Sequence, residues 1–332
     1  MEIKTKNESF MLKLSFYRSQ VKTEEIIALM RSLMFFQPKS YKSDPKDFKR
    51  IGCNNFWEQL NLNLAKQDNF RMELEQYRPY PQNTNCLDLE YISVTDIIKI
   101  RCHIGNEEID ILDETERVIN QFVQTHSILS ASLRCWDEIM WNDDHDLKEQ
   151  QERHPELPEI KVKYLGGVPS SADLEQFAGH THLYEGLWFG CTYEMWYGPD
   201  YDRYIPLEKI ASFDDCSEKE IFENGTVRIR MYDSFDDFSK PESVRRAWCF
   251  RQHMDCDAAA DYWTEEINKL IIARMEYQVE MEYGEFPHGG MCLMKAYLDE
   301  NGKPITKSKA VKVHISERGT DGKSVFQEIV EL

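Results

Sequence analysis

The sequence predicts an α+β protein of mixed, mostly antiparallel sheets packed with helices. Three observations carry this. Stretches such as 10–17 and 227–232 alternate or run apolar as strands do, others such as 23–34 and 113–123 place apolar residues at helical spacing, and the two kinds mix without a regular βαβ rhythm. With 41% hydrophobic and 30% charged residues over 332 positions, the chain is a folded one with enough length for a full core.

Taken in order, Phe10–Tyr17 reads as a strand. Thr23-Glu24-Glu25 opens a helix, its acids favoured by the N-terminal dipole, and Pro38 marks the end of that region. A Lys-rich polar stretch, 39–50, reads as loop, 54–75 is ambiguous, and 78–88 is again loop. Asp96–His103 is a strand, and Asp113-Glu114-Thr115-Glu116 resembles a capping box ahead of Val118, Ile119, Phe122 and Val123. Ile128–Trp141 reads as a strand, and the acidic, Pro-containing 142–159 as a linker. In the second half, Ile160–Leu165 and Leu187–Tyr197 are strands. Asn224-Gly225 turns a hairpin into Val227–Tyr232. Pro241 sits in the first turn of a helix, a position it tolerates. A second helix from Asp257 places Trp263, Ile267, Leu270, Ile271 and Met275 on one stripe, and three strands follow, Met291–Leu298, Ala310–Ile315 and Val325–Val330. The implied organisation is an N-terminal half, 1–150, a C-terminal half, 160–283, and a strand-rich extension, 284–332.

The net charge of -19 opposes direct binding to nucleic acid or an anionic membrane and favours a basic partner. It is unevenly placed. Residues 1–50 hold eleven Lys/Arg against six Asp/Glu and 291–332 hold seven against six, which leaves -25 for 51–290. The nine cysteines are odd in number and form no C-x-x-C pair, which fits reduced thiols in a cytoplasm. No eighteen-residue apolar run predicts a membrane span, and the polar Met1–Glu8 with the short apolar stretch after it does not read as a signal peptide.

Catalytic signals are weak. His180 and His182 form an H-x-H pair able to offer two ring nitrogens to a metal, but no third ligand is recognisable nearby. His253 and Cys256 do not match a nucleophile–base arrangement, and Asp143-Asp144-His145-Asp146 lacks the glycine and distal Glu of a calcium loop. Gly166-Gly167 and Gly289-Gly290 lack the surroundings of a phosphate loop. No cofactor is expected.

Two acidic segments also carry rings. The first runs from Trp136 through Trp141, Asp143, Asp144 and Asp146. The second includes Trp196, Tyr197, Asp200, Tyr201 and Asp202, then Asp214, Asp215 and Glu218, then Asp236 and Asp237 between Phe235 and Phe238. Carboxylates steer a cationic protein and rings supply desolvated anchors, so these are the candidate partner-binding residues. The competing reading turns the rings inward and leaves the acids as a solvated face.

The run Val227–Asp233, then Asp236-Asp237, then Arg245–Arg251 resembles bacterial immunity proteins, the antitoxins of polymorphic and type VI secretion toxins, and specifically the immunity protein 52 family, over roughly 10–265. The resemblance implies a cytoplasmic, metal-free, non-enzymatic protein that binds a cognate toxin of the DNase class and occludes its basic active face. It assigns no individual contact residues, and no role to the basic first fifty residues or the tail after 284. The alternatives are a small metal-dependent hydrolase built on His180 and His182, and a regulatory scaffold.

Overall fold

In a computed structural model, residues 9–43, 52–66, 68–76, 85–105, 110–165, 168–274 and 278–332 are described. The Gly166-Gly167 pair, Met275 and most of the loops expected at 39–50 and 78–88 lie outside them.

The chain runs β1 (Phe10–Tyr17), α1 (Thr23–Ser32), β2 (Ser40–Ser43), α2 (Phe56–Leu64), β3 (Phe70–Gln76), β4 (Asn85–Ile92), β5 (Ile97–Ile104), α3 (Asp110–Thr125) and β6 (Ser130–Cys135). It continues with α4 (Trp136–Asp143), α5 (Leu147–Arg153), β7 (Val162–Leu165), β8 (Val168–Ala172), β9 (His182–Tyr184), β10 (Leu187–Phe189), β11 (Glu194–Tyr197), α6 (Leu207–Ala211), β12 (Glu218–Ile221) and β13 (Val227–Arg230). Then come α7 (Pro241–Met254), α8 (Cys256–Arg274), β14 (Val279–Tyr283), β15 (Cys292–Leu298), β16 (Lys312–Arg318) and β17 (Ser324–Glu331). The α+β class is as the sequence predicts, and the strand pairings are antiparallel.

Nine strands form one sheet in the order β12-β13-β11-β6-β1-β5-β4-β3-β2. Strand alternation gives it two unlike faces. Phe10, Leu12, Leu14 and Phe16 of β1 point to one face, with Ile98, Ile100 and Cys102 of β5 beside them, and this face packs on Ile26 and Met30 of α1, Phe56 and Leu60 of α2, and Ile119, Phe122 and Val123 of α3. The opposite face carries Lys13 and Ser15, paired with Arg101 and Lys99 on β5 and with Ser132 and Ser130 on β6. Toward β13 it is covered by rings: Tyr197 lies 6.1 Å from Trp188, 5.0 Å from Tyr201 and 6.2 Å from Phe250 of α7.

The chain divides into compact units at 1–267 and 268–332. No boundary falls at 150–160, because β6 and β11 pair across that stretch and make one sheet of what the sequence divides into two halves. The expected linker at 142–159 contains α5, whose first turn is capped by the Asp146 carboxylate accepting from the Lys148 and Glu149 N–H groups, and whose Gln150 is buried. The strand expected over 128–141 ends at Cys135 and becomes α4, because the Cys135 thiol accepts the Glu138 N–H and Asp137 and Glu138 occupy the first turn. Leu187–Tyr197 is two strands, not one, and Leu270, expected on a buried stripe, is half exposed. The hairpin at Asn224-Gly225 is as expected, with Gly225 at φ +89°.

The second unit is a four-strand antiparallel meander, β14-β15-β16-β17. One face buries Tyr297 and Val313, and the Tyr297 hydroxyl donates to Glu280 at 2.8 Å. The other presents Met281, Tyr283 and Ile329, all exposed. The sequence reading missed its first strand, β14, by starting the extension at 284.

Candidate functional site

The histidine pair is built into a charge network. The rings of His180 and His182 sit 4.6 Å apart, but His180 Nδ1 lies 2.8 Å from Asp143 Oδ1, and His182 Nε2 lies 2.8 Å from Asp257 Oδ1. The other Asp143 oxygen accepts from Arg134 at 2.7 Å and from Thr181 at 2.8 Å, and Asp257 also accepts from Arg251. Burial pushes the Asp143 carboxyl up, but Arg134 and then His180 outweigh it and hold the group well below its usual value. Among the described residues no group of three or more His, Cys, Asp or Glu is arranged to hold a metal ion. His253 Nε2 faces the Lys209 carbonyl oxygen at 2.9 Å, and burial raises the Cys256 thiol to about 12, a poor setting for a thiolate nucleophile.

The structure also takes three rings out of any docking surface. Trp196 is 0% exposed on the apolar face, its indole N–H donating to Asn120 at 2.8 Å. Tyr197 and Tyr201 are 2% and 1% exposed in the aromatic layer, and the Tyr201 hydroxyl donates to the Trp188 carbonyl at 2.8 Å. Their sequence neighbourhood is acidic, but alternation puts Trp196 and Tyr197 on opposite faces of the sheet and both faces are covered there.

Most of the candidate acids have partners within the fold. Asp144 pairs with Arg153 at 2.7 Å, Asp214 with Lys219, and Asp237 with Lys240 at 2.8 Å. Asp215 receives Arg245 at 2.6 Å. Glu218 lies between Arg228 and Arg230, at 3.1 and 2.9 Å, in a network with the buried Glu194 and Glu116 of α3. Asp202 accepts the Leu207 N–H at the start of α6, and Asp200 accepts from Gln20 at 3.2 Å. A carboxylate paired with a cation contributes little field to a partner, whereas Asp200 and Asp202 are held only by neutral donors.

Rings and acids without an ion pair to a described residue meet where α4 joins the segment after β13. α4 lies against the short 3₁₀ turn Asp237–Ser239, bringing two of the acid–ring segments together. Trp141 is half-buried, edge-on to Phe238 at 5.9 Å and close over His154 at 4.1 Å. Trp136, Ile139, Met140 and Phe235 are also half-buried, Trp136 leaning on His103 at 5.0 Å. Asp137 and Asp236 make no hydrogen bond or ion pair to a described residue, and burial followed by the charge of Asp236 pushes the Asp137 carboxyl above its ordinary value. The sequence reading placed Trp136, Asp137 and Phe238 in its two acid–ring segments but chose only Trp141, Asp236 and Asp237 of this group as contact residues.

No protein-family model matches the chain, and no curated protein does. A solved structure titled as the toxic C-terminal tip of CdiA from Pseudomonas aeruginosa in complex with immune protein aligns with 39% of this chain and 87% of its own, at 8% identity and a TM-score of 0.24. A likeness that slight carries no argument about fold or function. No helix among the described residues is long and apolar enough to cross a membrane.

Proposed function

We propose that this chain is a non-catalytic binding protein that docks a basic protein through the α4–turn patch, and that its role is that of an immunity protein covering the cationic active face of a secreted nuclease toxin. The observation that carries the reading is the meeting of half-buried Trp136, Trp141 and Phe238 with Asp137 and Asp236, two acids that repel each other and make no ion pair to a described residue, the charge of Arg153 offsetting that repulsion only in part. A Lys or Arg from a partner would relieve that repulsion, and the rings would be the desolvated anchors. The sequence charge of -25 over 51–290 adds long-range attraction and the resemblance at 227–251 adds the toxin context.

The test is affinity purification of the full chain with its partner identified by mass spectrometry, followed by binding kinetics with that partner; recovery of no basic protein would refute the reading. Trp141→Ala is expected to raise the dissociation rate, consistent with the ≥2 kcal/mol typical of an aromatic hot spot. Asp137→Lys with Asp236→Lys is expected to slow association and flatten its dependence on salt. Unchanged rates in both variants, with the fold intact, would remove the patch from the interface.

A further inference from the structure

The second unit, 268–332, is thin for a sheet that stands alone. Among its described residues only Tyr297 and Val313 are buried large apolar side chains, while Val279, Met281 and Tyr283 of β14 are 36%, 54% and 80% exposed. β14 is an edge strand, with β15 on one side and no described strand on the other. Strand alternation puts Val279, Met281 and Tyr283 on one face. The same three residues carry the free edge. The Tyr297 N–H donates to the Gln278 carbonyl at 2.9 Å and the Gly284 N–H to the Met291 carbonyl at 3.1 Å, so the even-numbered residues of the strand turn their backbone groups to β15. The N–H and C=O groups of Val279, Met281 and Tyr283 therefore point outward, with no described strand beside them.

An exposed edge of this kind is ordinarily guarded by charge. Here the charges are cancelled within the chain: Glu280 pairs with Lys307 at 2.8 Å and Glu282 with Lys295 at 3.5 Å. The opposite edge strand, β17, keeps its guard, for Glu328 stands within it and makes no ion pair to a described residue. Residues 268–332 hold nine Lys/Arg against ten Asp/Glu, a charge of -1, which leaves -19 + 1 = -18 for residues 1–267. A second copy of the small unit is therefore not repelled by the first, as a second copy of the large one would be.

We propose that two copies of this chain pair antiparallel through β14, Met281 opposite Met281 of the second copy, and so join two four-strand meanders into one continuous sheet. The edge itself sets the register. A two-fold axis at Met281 places Val279 opposite Tyr283 of the second copy and brings the outward backbone groups of both chains face to face, each opposed pair exchanging two hydrogen bonds. Opposed side chains share a face, so the apolar residues of both copies form one stripe of cross-strand pairs. On the other face Glu280 stands opposite Glu282 of the second copy, each already holding a lysine. An axis at Glu280 or Glu282 would instead oppose identical acids. The contact is smaller than a standard interface, so the dimer is a weak and reversible one.

The test is sedimentation of the full chain over a micromolar concentration series. The wild type is expected to move from the monomer mass toward twice that mass as concentration rises. A mass that stays monomeric throughout would overturn the proposal and leave the edge to another protein or to the rest of the same chain. Charge tests the register. Val279→Lys with Tyr283→Lys sets lysines opposite one another and is expected to raise the dissociation constant about tenfold. Val279→Lys with Tyr283→Glu sets each lysine opposite a glutamate of the second copy and is expected to restore most of that loss. Within one chain the two positions are about 13 Å apart, so the recovery cannot arise inside a monomer. Both positions are exposed, and equal unfolding temperatures check that the variants keep the fold. A dissociation constant unchanged by the double lysine, or weakened equally in both variants, would overturn the pairing.

Discussion

Replacing Glu138 with Gln is expected to make the protein more stable at neutral pH, and the reason lies in where α4 puts that side chain. Glu138 is 1% exposed. Its Oε2 accepts from Thr192 at 2.8 Å and from the Tyr193 N–H, and its Oε1 accepts from Tyr232 at 3.0 Å. Burial dominates these hydrogen bonds and raises the group from 4.5 to about 7. The unfolded chain then loses its proton near 4.5 and the folded chain only near 7. Below 4.5 both states hold the proton and there is no penalty. Between 4.5 and 7 the folded state binds more protons, so stability falls as pH rises, and above 7 the loss is complete. A shift of about 2.5 units corresponds to about 3 kcal/mol. A Gln at 138 keeps an oxygen for Thr192 and Tyr193 and turns an amide toward the Tyr232 hydroxyl, which can accept, so the hydrogen bonds survive while the titration disappears. Urea unfolding at pH 5 and pH 8 measures it. The difference in stability between wild type and Glu138→Gln is expected to move by about 2–3 kcal/mol in the variant's favour from the lower to the higher pH. Parallel pH profiles would refute the assignment of a buried, protonating carboxyl.

Two further substitutions test the partition of the acids and the packing beneath the aromatic layer. Asp143→Asn strips the charge from the partner of the buried Arg134 and is expected to cost about 3–5 kcal/mol, whereas Asp214→Asn, at an exposed carboxylate, is expected to stay within about 0.5 kcal/mol; denaturant midpoints compare them. Gly198→Ala would put a Cβ 2.1 Å from the Ile128 carbonyl oxygen and is expected to lower the unfolding temperature, with a cost of at least the ~1–3 kcal/mol of an overpacked core, since a backbone atom cannot swing aside.

Much of the fold is legible in the sequence because it is written in local periods. The alternation of Phe10, Leu12, Leu14 and Phe16 gives β1 and its buried face directly, and Val118, Ile119, Phe122 and Val123 give the buried side of α3. α4 is not legible, because a cysteine thiol is an unusual cap and the alternation of Leu129, Ala131, Leu133 and Cys135 with polar residues leads into it without a turn residue. The candidate site is less legible still. A sequence shows how many acids a segment holds but not which of them meet cations. Those cations come from far away: Arg230 reaches Glu116 across 114 positions, and Arg245 reaches Asp215 across 30. The same holds for Lys13, which looks like an ordinary polar interruption of a strand until pairing sets it among three other cations.

The sheet order has a consequence for synthesis. β1 is the fifth of nine strands, hydrogen-bonded to β5 on one side and β6 on the other. It leaves the ribosome first among the described strands, yet its second neighbour begins only at Ser130, about 6–25 s later at ordinary elongation rates. During that interval β5 can pair with one of its edges, but the backbone donors and acceptors of the other edge have no native partner. The segment whose burial organises the whole sheet is therefore also the one whose nascent form most needs shielding from other chains.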